Sequence, residues 1–328
     1  MPHLVDSVAA EISRNGHAMS LVVHPIFLVS RTPEGRELLG VRSVPAPERG
    51  LSSGDTQSLP DLSVLADDEQ RTNVESWIAV ELNRVLSQEE AAALVEGLYS
   101  VVDDVAASHR DQNRMIGKAR GAAGLLREAE ALHESQESAD LLDWMADGNF
   151  LFLGYREYEL DEHDDGSVHL EPVTGTGLGI LSQTRLRAAP HRTTELSEAG
   201  RIRARERRAL VITKANSRSP VRRRTYMDYV AVKTFGPDGA VRGERRFVGL
   251  FSQRAYTQSI LGIPLLRSRA HQLLARSGFS RDSHSGSDLM QILETHPRNE
   301  LLQMDIEEIE ETAWQILQLQ ERRRVRLF

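Results

Sequence analysis

Apolar residues at the beginning of the chain follow first a helical period and then a strand-like one. They recur three and four residues apart through residues 4–12, and the Asn-Gly pair at residues 15–16 predicts the end of a helix. Residues 19–30 and 37–44 are instead dense in aliphatic and β-branched side chains over short runs, which predicts two strands. Pro25 lies within the first run and predicts an edge strand or a bulge, because proline has no N–H to donate.

A loop and then a second pair of elements are predicted further along. Residues 45–73 are rich in Pro, Ser, Gly and Asp, which is typical of a long exposed loop. Apolar and polar residues then alternate over residues 77–85, which predicts a third strand. Ser87 and Glu90 have the spacing of a capping box, and the apolar periodicity that continues to Val105 predicts an amphipathic helix behind it.

The middle of the chain is predicted to be weakly helical. Residues 112–132 contain Gly117, Gly121 and Gly124, and glycine is a poor helix former, so this stretch predicts a weak or broken helical linker. Residues 138–145 predict a short helix that ends at the Gly-Asn pair immediately after it.

The longest strand-rich stretch lies in residues 210–252, where β-branched and aromatic residues are dense and a Gly-Pro-Asp-Gly turn occupies residues 236–239. Together with a hairpin upstream, it predicts an antiparallel sheet. The predicted strands are residues 150–160, 168–173, 210–214, 225–235 and 241–252, and helices follow at residues 264–276, 286–294 and 305–324. The fold class expected from these elements is α+β.

Composition narrows the class of protein. A chain of 328 residues with 40% hydrophobic and 27% charged residues is typical of a globular protein with room for two domains. The chain has no cysteine, which excludes disulfides, thiolate zinc sites and cysteine nucleophiles. No apolar run reaches the roughly 18 residues of a membrane span and no secretion signal is visible, so we expect a cytoplasmic protein that does not bind a membrane.

Arginine is concentrated in residues 185–224, although the net charge of the whole chain is −8. Arg201, Arg203 and Arg205 alternate with other residues, and in a strand they would line one face. Six arginines are the candidate site for an anion or effector, or for an interface: Arg205, Arg207, Arg208, Arg222, Arg223 and Arg224. A subunit interface, an anionic effector site and nucleic-acid binding all remain open, although no aromatic residue is interleaved for base stacking.

Other motifs do not reach the pattern of a catalytic or cofactor site. Residues 174–179 read TGTGLG, which lacks the G-x-G-x-x-G spacing of a dinucleotide loop and predicts an ordinary loop. The histidines form no metal-ligand spacing, and Lys214, Ser217 and Ser219 predict a turn between strands. No catalytic, cofactor-binding or metal-ligating residue is therefore predicted.

Three segments carry a family resemblance. Residues 141–160 (LLDWMADGNFLFLGYREYEL), 210–252 and 292–328 resemble the N-terminal part of the large bacterial NAD-dependent glutamate dehydrogenases, and the resemblance extends over almost the whole chain. It implies an ACT-like, ferredoxin-like domain whose first strand is missing, then a PAS-like antiparallel sheet with flanking helices. The implied domains are an ACT-like domain at 1–110, a helical linker at 111–137, a PAS-like domain at 138–263, a helical segment at 264–324, and the start of a truncated further ACT-like unit at 325–328.

The resemblance also implies a function. In the family, the complete enzyme oxidises L-glutamate to 2-oxoglutarate and ammonium and reduces NAD, but no residue of this chain matches the catalytic pattern. We therefore expect a regulatory and assembly segment that binds no cofactor itself, with NAD used by the full-length enzyme. The implied partners are the remainder of the enzyme, a second copy of the chain and an amino-acid effector. The alternative is a free-standing anion- or nucleic-acid-binding module that uses the arginines of residues 201–224.

Overall fold

The protein is described by a computed structural model over residues 1–32, 37–43, 72–129, 134–162, 167–182 and 198–322. Helices and antiparallel sheets make it an α+β chain, which confirms the predicted class. The chain forms two compact units, one of residues 5–100 and the other of residues 1–4 and 101–328. The domain boundaries given above stay predictions, and residues 325–328 lie outside the described residues.

Five short strands lie among the described residues of the smaller unit. They are β1 (Met19–Val23), β2 (Ile26–Arg31), β3 (Leu38–Ser43), β4 (Thr72–Ser76) and β5 (Ala79–Leu82). β1 pairs with β5, whereas β2 lies between β3 and β4 in a second sheet. The helix before them, α1 (Leu4–Arg14), ends as predicted, and Gly16 beyond it has the left-handed φ of +76° that favours glycine.

Two boundaries predicted for this unit are wrong. The strand predicted over residues 19–30 is two strands, β1 and β2, because the His24-Pro25 step interrupts the hydrogen-bond ladder and the chain changes sheets there. The loop predicted over residues 45–73 ends too late, since its last two residues already pair with β2 as part of β4. The rest of that predicted loop, up to residue 71, lies outside the described residues.

The helix α2 (Gln88–Glu128) is continuous over 41 residues, so the weak or broken linker predicted from its glycines is wrong. Its start is the predicted capping box: the Glu90 N–H donates to Ser87 Oγ (3.2 Å) and the Ser87 N–H donates to Glu90 Oε2 (2.8 Å). The helix is continuous because Met115, Ala119, Ala122 and Leu126 recur at helical spacing and form a buried face that packs into the core. The three glycines lie on the opposite, exposed face.

The larger unit is built on one antiparallel sheet, and the hairpins predicted for it are confirmed. Its strands are β6 (Phe150–Glu162), β7 (Val168–Pro172), β8 (Leu178–Gly179), β9 (Leu210–Arg218), β10 (Tyr226–Phe235) and β11 (Val241–Phe251), in the order β7-β6-β11-β10-β9, with β8 also paired to β6. β9 is therefore an edge strand.

The two faces of this sheet bury different side chains. Tyr155, Val230 and Phe247 belong to the main core, which also contains buried residues of several helices. Leu153 and Val248 belong to a smaller core on the opposite face. Alternation of side chains along each strand produces this division.

Helices α3 (Ser135–Trp144), α4 (Glu198–Arg205), α5 (Gln253–Thr257), α6 (Pro264–Ser277), α7 (His284–Thr295), α8 (Arg298–Gln303) and α9 (Ile306–Arg322) complete this unit. α3, α6, α7 and α9 match predicted helices, whereas α4, α5 and α8 are short and were not predicted. Among the described residues, no helix combines the length and the apolar character that crossing a membrane would require.

Candidate effector-binding cleft

The six candidate arginines separate into two groups at opposite ends of β9. Arg205, Arg207 and Arg208 lie just before this strand, and Arg222–Arg224 lie in the turn that follows it. A strand of nine residues spans about 25–30 Å at roughly 3.3 Å per residue, so one small ligand cannot contact both groups.

The expectation that alternating arginines line one face of a strand is wrong for residues 201–205. These residues lie in the helix α4. Arginine is a good helix former, so its alternation with other residues does not by itself distinguish a strand from a helix.

The group after β9 is a turn. The turn predicted from Lys214 begins too early, because Lys214 and Ser217 belong to β9, which continues to Arg218. The Ser219 side chain is buried, and its Oγ donates to the Val221 carbonyl (2.7 Å) and accepts from the Val221 N–H (3.1 Å). Arg223 and Arg224 are exposed there, and Arg223 lies over the ring of Tyr256 at 5.7 Å.

The group before β9 opens onto a cleft of about 230 Å³, which continues into a recess that Arg207 also lines. We call it the effector-binding cleft. Its charged side chains are Glu134, Glu206, Arg208, Arg269, Asp305 and Glu308. The edge strand β9 supplies a further wall through residues 210–213. The cleft thus combines guanidinium and carboxylate groups beside β9, whose outer edge pairs with no other described strand.

Arg269 anchors the floor of this cleft, and its side chain is only 6% exposed. Its Nε and Nη2 donate to the two carboxylate oxygens of Glu134 (3.2 Å each), in the paired geometry that a guanidinium favours. Its Nη1 donates to the carbonyls of Leu301 (3.0 Å) and Met304 (2.8 Å). Arg269 therefore ties three separate segments of the chain together.

The backbone of Glu134 adopts an unfavourable conformation at this position. Its backbone has φ 57° and ψ 22°, in the left-handed region that costs a residue with a side chain roughly 1–2 kcal/mol. It precedes α3 without making a side-chain cap hydrogen bond. The strain is held in place by the paired hydrogen bonds to Arg269.

Arg208 forms the rim of the cleft. It donates to Asp305 Oδ1 and lies 3.6 Å from Glu206 Oε1. Burial alone would lower the pKa of Arg208, but the hydrogen bond to Asp305 and the charges of neighbouring carboxylates hold this pKa above the ordinary value. The guanidinium therefore stays charged.

The glycine-rich residues 174–179 serve close packing. A side chain at Gly179 would come within 2.1 Å of the Leu153 carbonyl oxygen, and one at Gly177 within 2.3 Å of the Leu181 carbonyl oxygen. The Gly179 N–H donates to Asp111 Oδ2 (2.9 Å). The loop lies against β6, and residues 180–182, the described residues that follow it, are not helical, in contrast to a dinucleotide-binding loop.

The described part of the chain has no group of three or more His, Asp or Glu side chains placed to hold a metal ion. Of the histidines considered from sequence, His24 contacts Ser76 Oγ and His296 lies 3.4 Å from Glu300.

The sequence pointed to Arg207 and Arg208 but missed Glu134 and Arg269. Arg269 had a signal, because it stands four residues after Leu265 and four before Leu273 on the buried face of α6. A charged residue at such a position needs a partner. Nothing in the local pattern marked Glu134.

Comparison with known proteins agrees with the resemblance described above. Residues 1–98 match the glutamate dehydrogenase ACT1 domain, and residues 263–322 match glutamate dehydrogenase helical motif 1. The NAD-specific glutamate dehydrogenase of Halomonas elongata is 33% identical over all of this chain. The chain thus carries two domains of the glutamate dehydrogenase family. This assignment confirms the family inferred from residues 141–160, 210–252 and 292–328.

Two further NAD-specific glutamate dehydrogenases are similar over nearly the full chain. The protein of Pseudomonas aeruginosa is 31% identical over 100% of it, and that of Mycobacterium tuberculosis is 30% identical over 99%. The matched region is 19%, 19% and 18% of the three relatives, so the chain spans about a fifth of their length.

Proposed function

We propose that this chain is a regulatory and assembly segment of an NAD-dependent glutamate dehydrogenase of the cytoplasm. In the complete enzyme, NAD would accept hydride from L-glutamate, with 2-oxoglutarate and ammonium as products. The observation that carries the proposal is the match of residues 1–98 to an ACT1 domain, within a similarity that spans the whole chain. We assign no catalytic residue to this chain.

The proposed effector is an amino acid that binds in the effector-binding cleft. An amino acid carries a carboxylate and an ammonium group close together, and the cleft offers Arg208 for the first and Glu206 or Glu308 for the second. Backbone groups on the free edge of β9 can add hydrogen bonds, as an edge strand does for an extended ligand. Binding would regulate the enzyme only if the effector prefers one conformational state.

The proposed assembly role rests on apolar residues of the smaller unit. On β1, Leu21, Val22 and Val23 are each more than 40% exposed, and on β3 the adjacent Leu38 and Leu39 are 45% and 64% exposed. Successive strand residues point to opposite faces, so both faces of these strands expose apolar side chains among the described residues. Such surfaces are typical of an interface, and we propose a second copy of this chain as its occupant.

We also propose a PAS-like fold for the sheet of the larger unit. A six-stranded antiparallel sheet with helices packed on its core face supports this proposal. The alternative function, a free-standing anion- or nucleic-acid-binding module of the arginines at 201–224, has no support, because the described candidate arginines divide into two groups at opposite ends of β9.

Calorimetric titration of the chain with amino acids tests the effector. We expect heat and a higher melting temperature with one of L-glutamate, L-aspartate or L-arginine, and no response to the matching keto acid, which lacks the ammonium group. Arg208→Gln should abolish the response, whereas Arg223→Gln, at the other end of β9, should preserve it. No response to any amino acid at millimolar concentration would remove the effector and leave the assembly role alone.

A further inference from the structure

The face of the central sheet opposite the main core carries a row of charged side chains. Arg156 on β6 lies directly opposite Arg246 on β11, which lies opposite Ala231 on β10. Two residues further along each strand, Glu244 on β11 lies between Tyr158 on β6 and Lys233 on β10. Because alternate residues share a face, all of these side chains emerge on the same side of the sheet. We call Arg156, Tyr158, Lys233, Glu244 and Arg246 the sheet-face patch.

Glu244 is the single carboxylate at these positions, and its oxygens already accept hydrogen bonds from neighbouring side chains. It accepts from Arg246 through Nε (3.1 Å) and Nη2 (2.9 Å), and from Lys233 Nζ (3.2 Å). The Tyr229 hydroxyl also donates to it. The Glu244 and Lys233 side chains are 3% and 5% exposed, so this part of the patch is a buried ion pair with an added arginine.

Arg246 is further fixed by aromatic rings. Its guanidinium lies 3.8 Å from the ring centroid of Tyr158 and 5.0 Å from that of Tyr229. Contacts of this kind orient a planar guanidinium without using its hydrogen-bond donors. Arg246 is therefore held in a defined orientation beside Arg156.

Arg156 has no such compensation. It is 3% exposed, its buried Nε has no hydrogen-bond partner, and no hydrogen bond or ion pair of its guanidinium occurs among the described residues. Three cations thus share the patch with one carboxylate. An uncompensated buried charge costs several kcal/mol, and the cost is greater beside a second guanidinium.

We propose that the sheet-face patch is a binding site for a small anion that carries a carboxylate or phosphate group, held chiefly by Arg156. The guanidinium fork matches either group, and the anion would neutralise the excess charge. The sheet-face patch shares no residue with the effector-binding cleft. A test that contradicts anion binding at the patch therefore leaves the proposed function untouched, and a test that contradicts the proposed function leaves the patch untouched.

Thermal shift and calorimetry of the full chain test this site. The probes are inorganic phosphate, succinate, and sodium chloride at matched ionic strength. We expect phosphate or succinate to raise the melting temperature beyond chloride, and the probe that does so identifies the group that binds. If neither exceeds chloride, the proposal is overturned.

Substitution of Arg156 separates binding from a structural role. Arg156→Met should abolish the anion response while leaving the melting temperature of the anion-free protein equal or higher, because an unpaired buried charge is removed. Arg156→Lys keeps the charge and should retain a weaker response. A structural arginine would instead lower the stability of the anion-free protein when it is lost.

Arg245→Met is the matched control. Arg245 adjoins Arg246 in sequence but belongs to the opposite face, where its charge acts on Glu157. The Arg245→Met protein should keep the full anion response. Equal loss of the response in both methionine variants, or an Arg156→Met protein that is destabilised or fails to fold, would contradict the site.

Discussion

Among single residues, Arg269 makes the contacts whose loss should cost most. Arg269→Met leaves the Glu134 carboxylate, the buried Leu301 carbonyl and the partly buried Met304 carbonyl without their donor. Removing one partner of a buried ion pair costs about 3–5 kcal/mol, which we expect as the loss in the free energy of unfolding measured in urea. Arg276→Met, on the same helix, removes only exposed pairs to Glu307 and Glu310 and should cost less than about 1 kcal/mol. Equal losses would show that the cleft floor is not a buried network.

Glu244 should make stability depend on pH in a defined direction. Burial alone would raise the pKa of Glu244, but the charges of Arg246 and Lys233 hold it below its ordinary value of 4.5. The folded state therefore binds a proton less readily than the unfolded state, so this carboxylate contributes stability that is fully present above pH 4.5 and is lost as the pH falls through the folded pKa.

Urea unfolding between pH 7 and pH 3 checks this expectation. The wild-type free energy of unfolding should fall more steeply below pH 4.5 than that of Glu244→Gln, which has no carboxylate at this position. The comparison cancels the other carboxylates, which titrate in both proteins. Parallel profiles would mean that Glu244 is not ionised in the folded protein.

Among the elements, α2 provides the clearest test of how helix propensity contributes to stability. Gly117, Gly121 and Gly124 have space for a methyl group and ordinary helical backbone angles. Alanine at each should stabilise the protein by about 0.5–1 kcal/mol in thermal or urea unfolding, because alanine is the better helix former. Gly249→Ala is the opposite control, since its new methyl would lie 2.1 Å from the Leu151 carbonyl oxygen, and it should destabilise. Destabilisation by all three helix substitutions would contradict a continuous α2.

Periodic patterns predicted the elements whose own residues determine their structure. The strands of residues 150–160 and 225–235 were found because they are dense in β-branched and aromatic residues, and the helix of residues 264–276 buries apolar residues at helical spacing. The continuity of α2 was missed because the buried alanines opposite its glycines gain their stabilisation from tertiary packing, which local propensity does not include. The helix α4 was missed because arginine spacing alone fits either element.

The candidate cleft was predictable only in part. Arg207 and Arg208 stood out by charge, but their partners Glu134, Arg269 and Asp305 come from three distant stretches of sequence. Their meeting depends on how the helices pack around the sheet, which residue spacing does not encode. The division of the arginines into two groups likewise needed the length and direction of β9.

For the whole molecule, association should depend on the apolar strands of the smaller unit. We expect the chain to sediment as a dimer or larger assembly, and Leu39→Glu to shift it toward the monomer, because a charge then faces the proposed interface. Leu125→Glu, at a leucine that is 49% exposed in the larger unit, should leave the sedimentation coefficient unchanged. A wild-type monomer at micromolar concentration would contradict self-association through these strands.

The left-handed backbone at Glu134 couples its evolution to that of a residue 135 positions away. Glycine or asparagine would adopt that backbone at lower cost, but neither has a carboxylate that could neutralise Arg269. Relatives that keep arginine at the position of Arg269 should therefore keep an acidic residue at that of Glu134. In relatives where the arginine has become apolar, glycine should be frequent at the first position, so that the two sites vary as a pair.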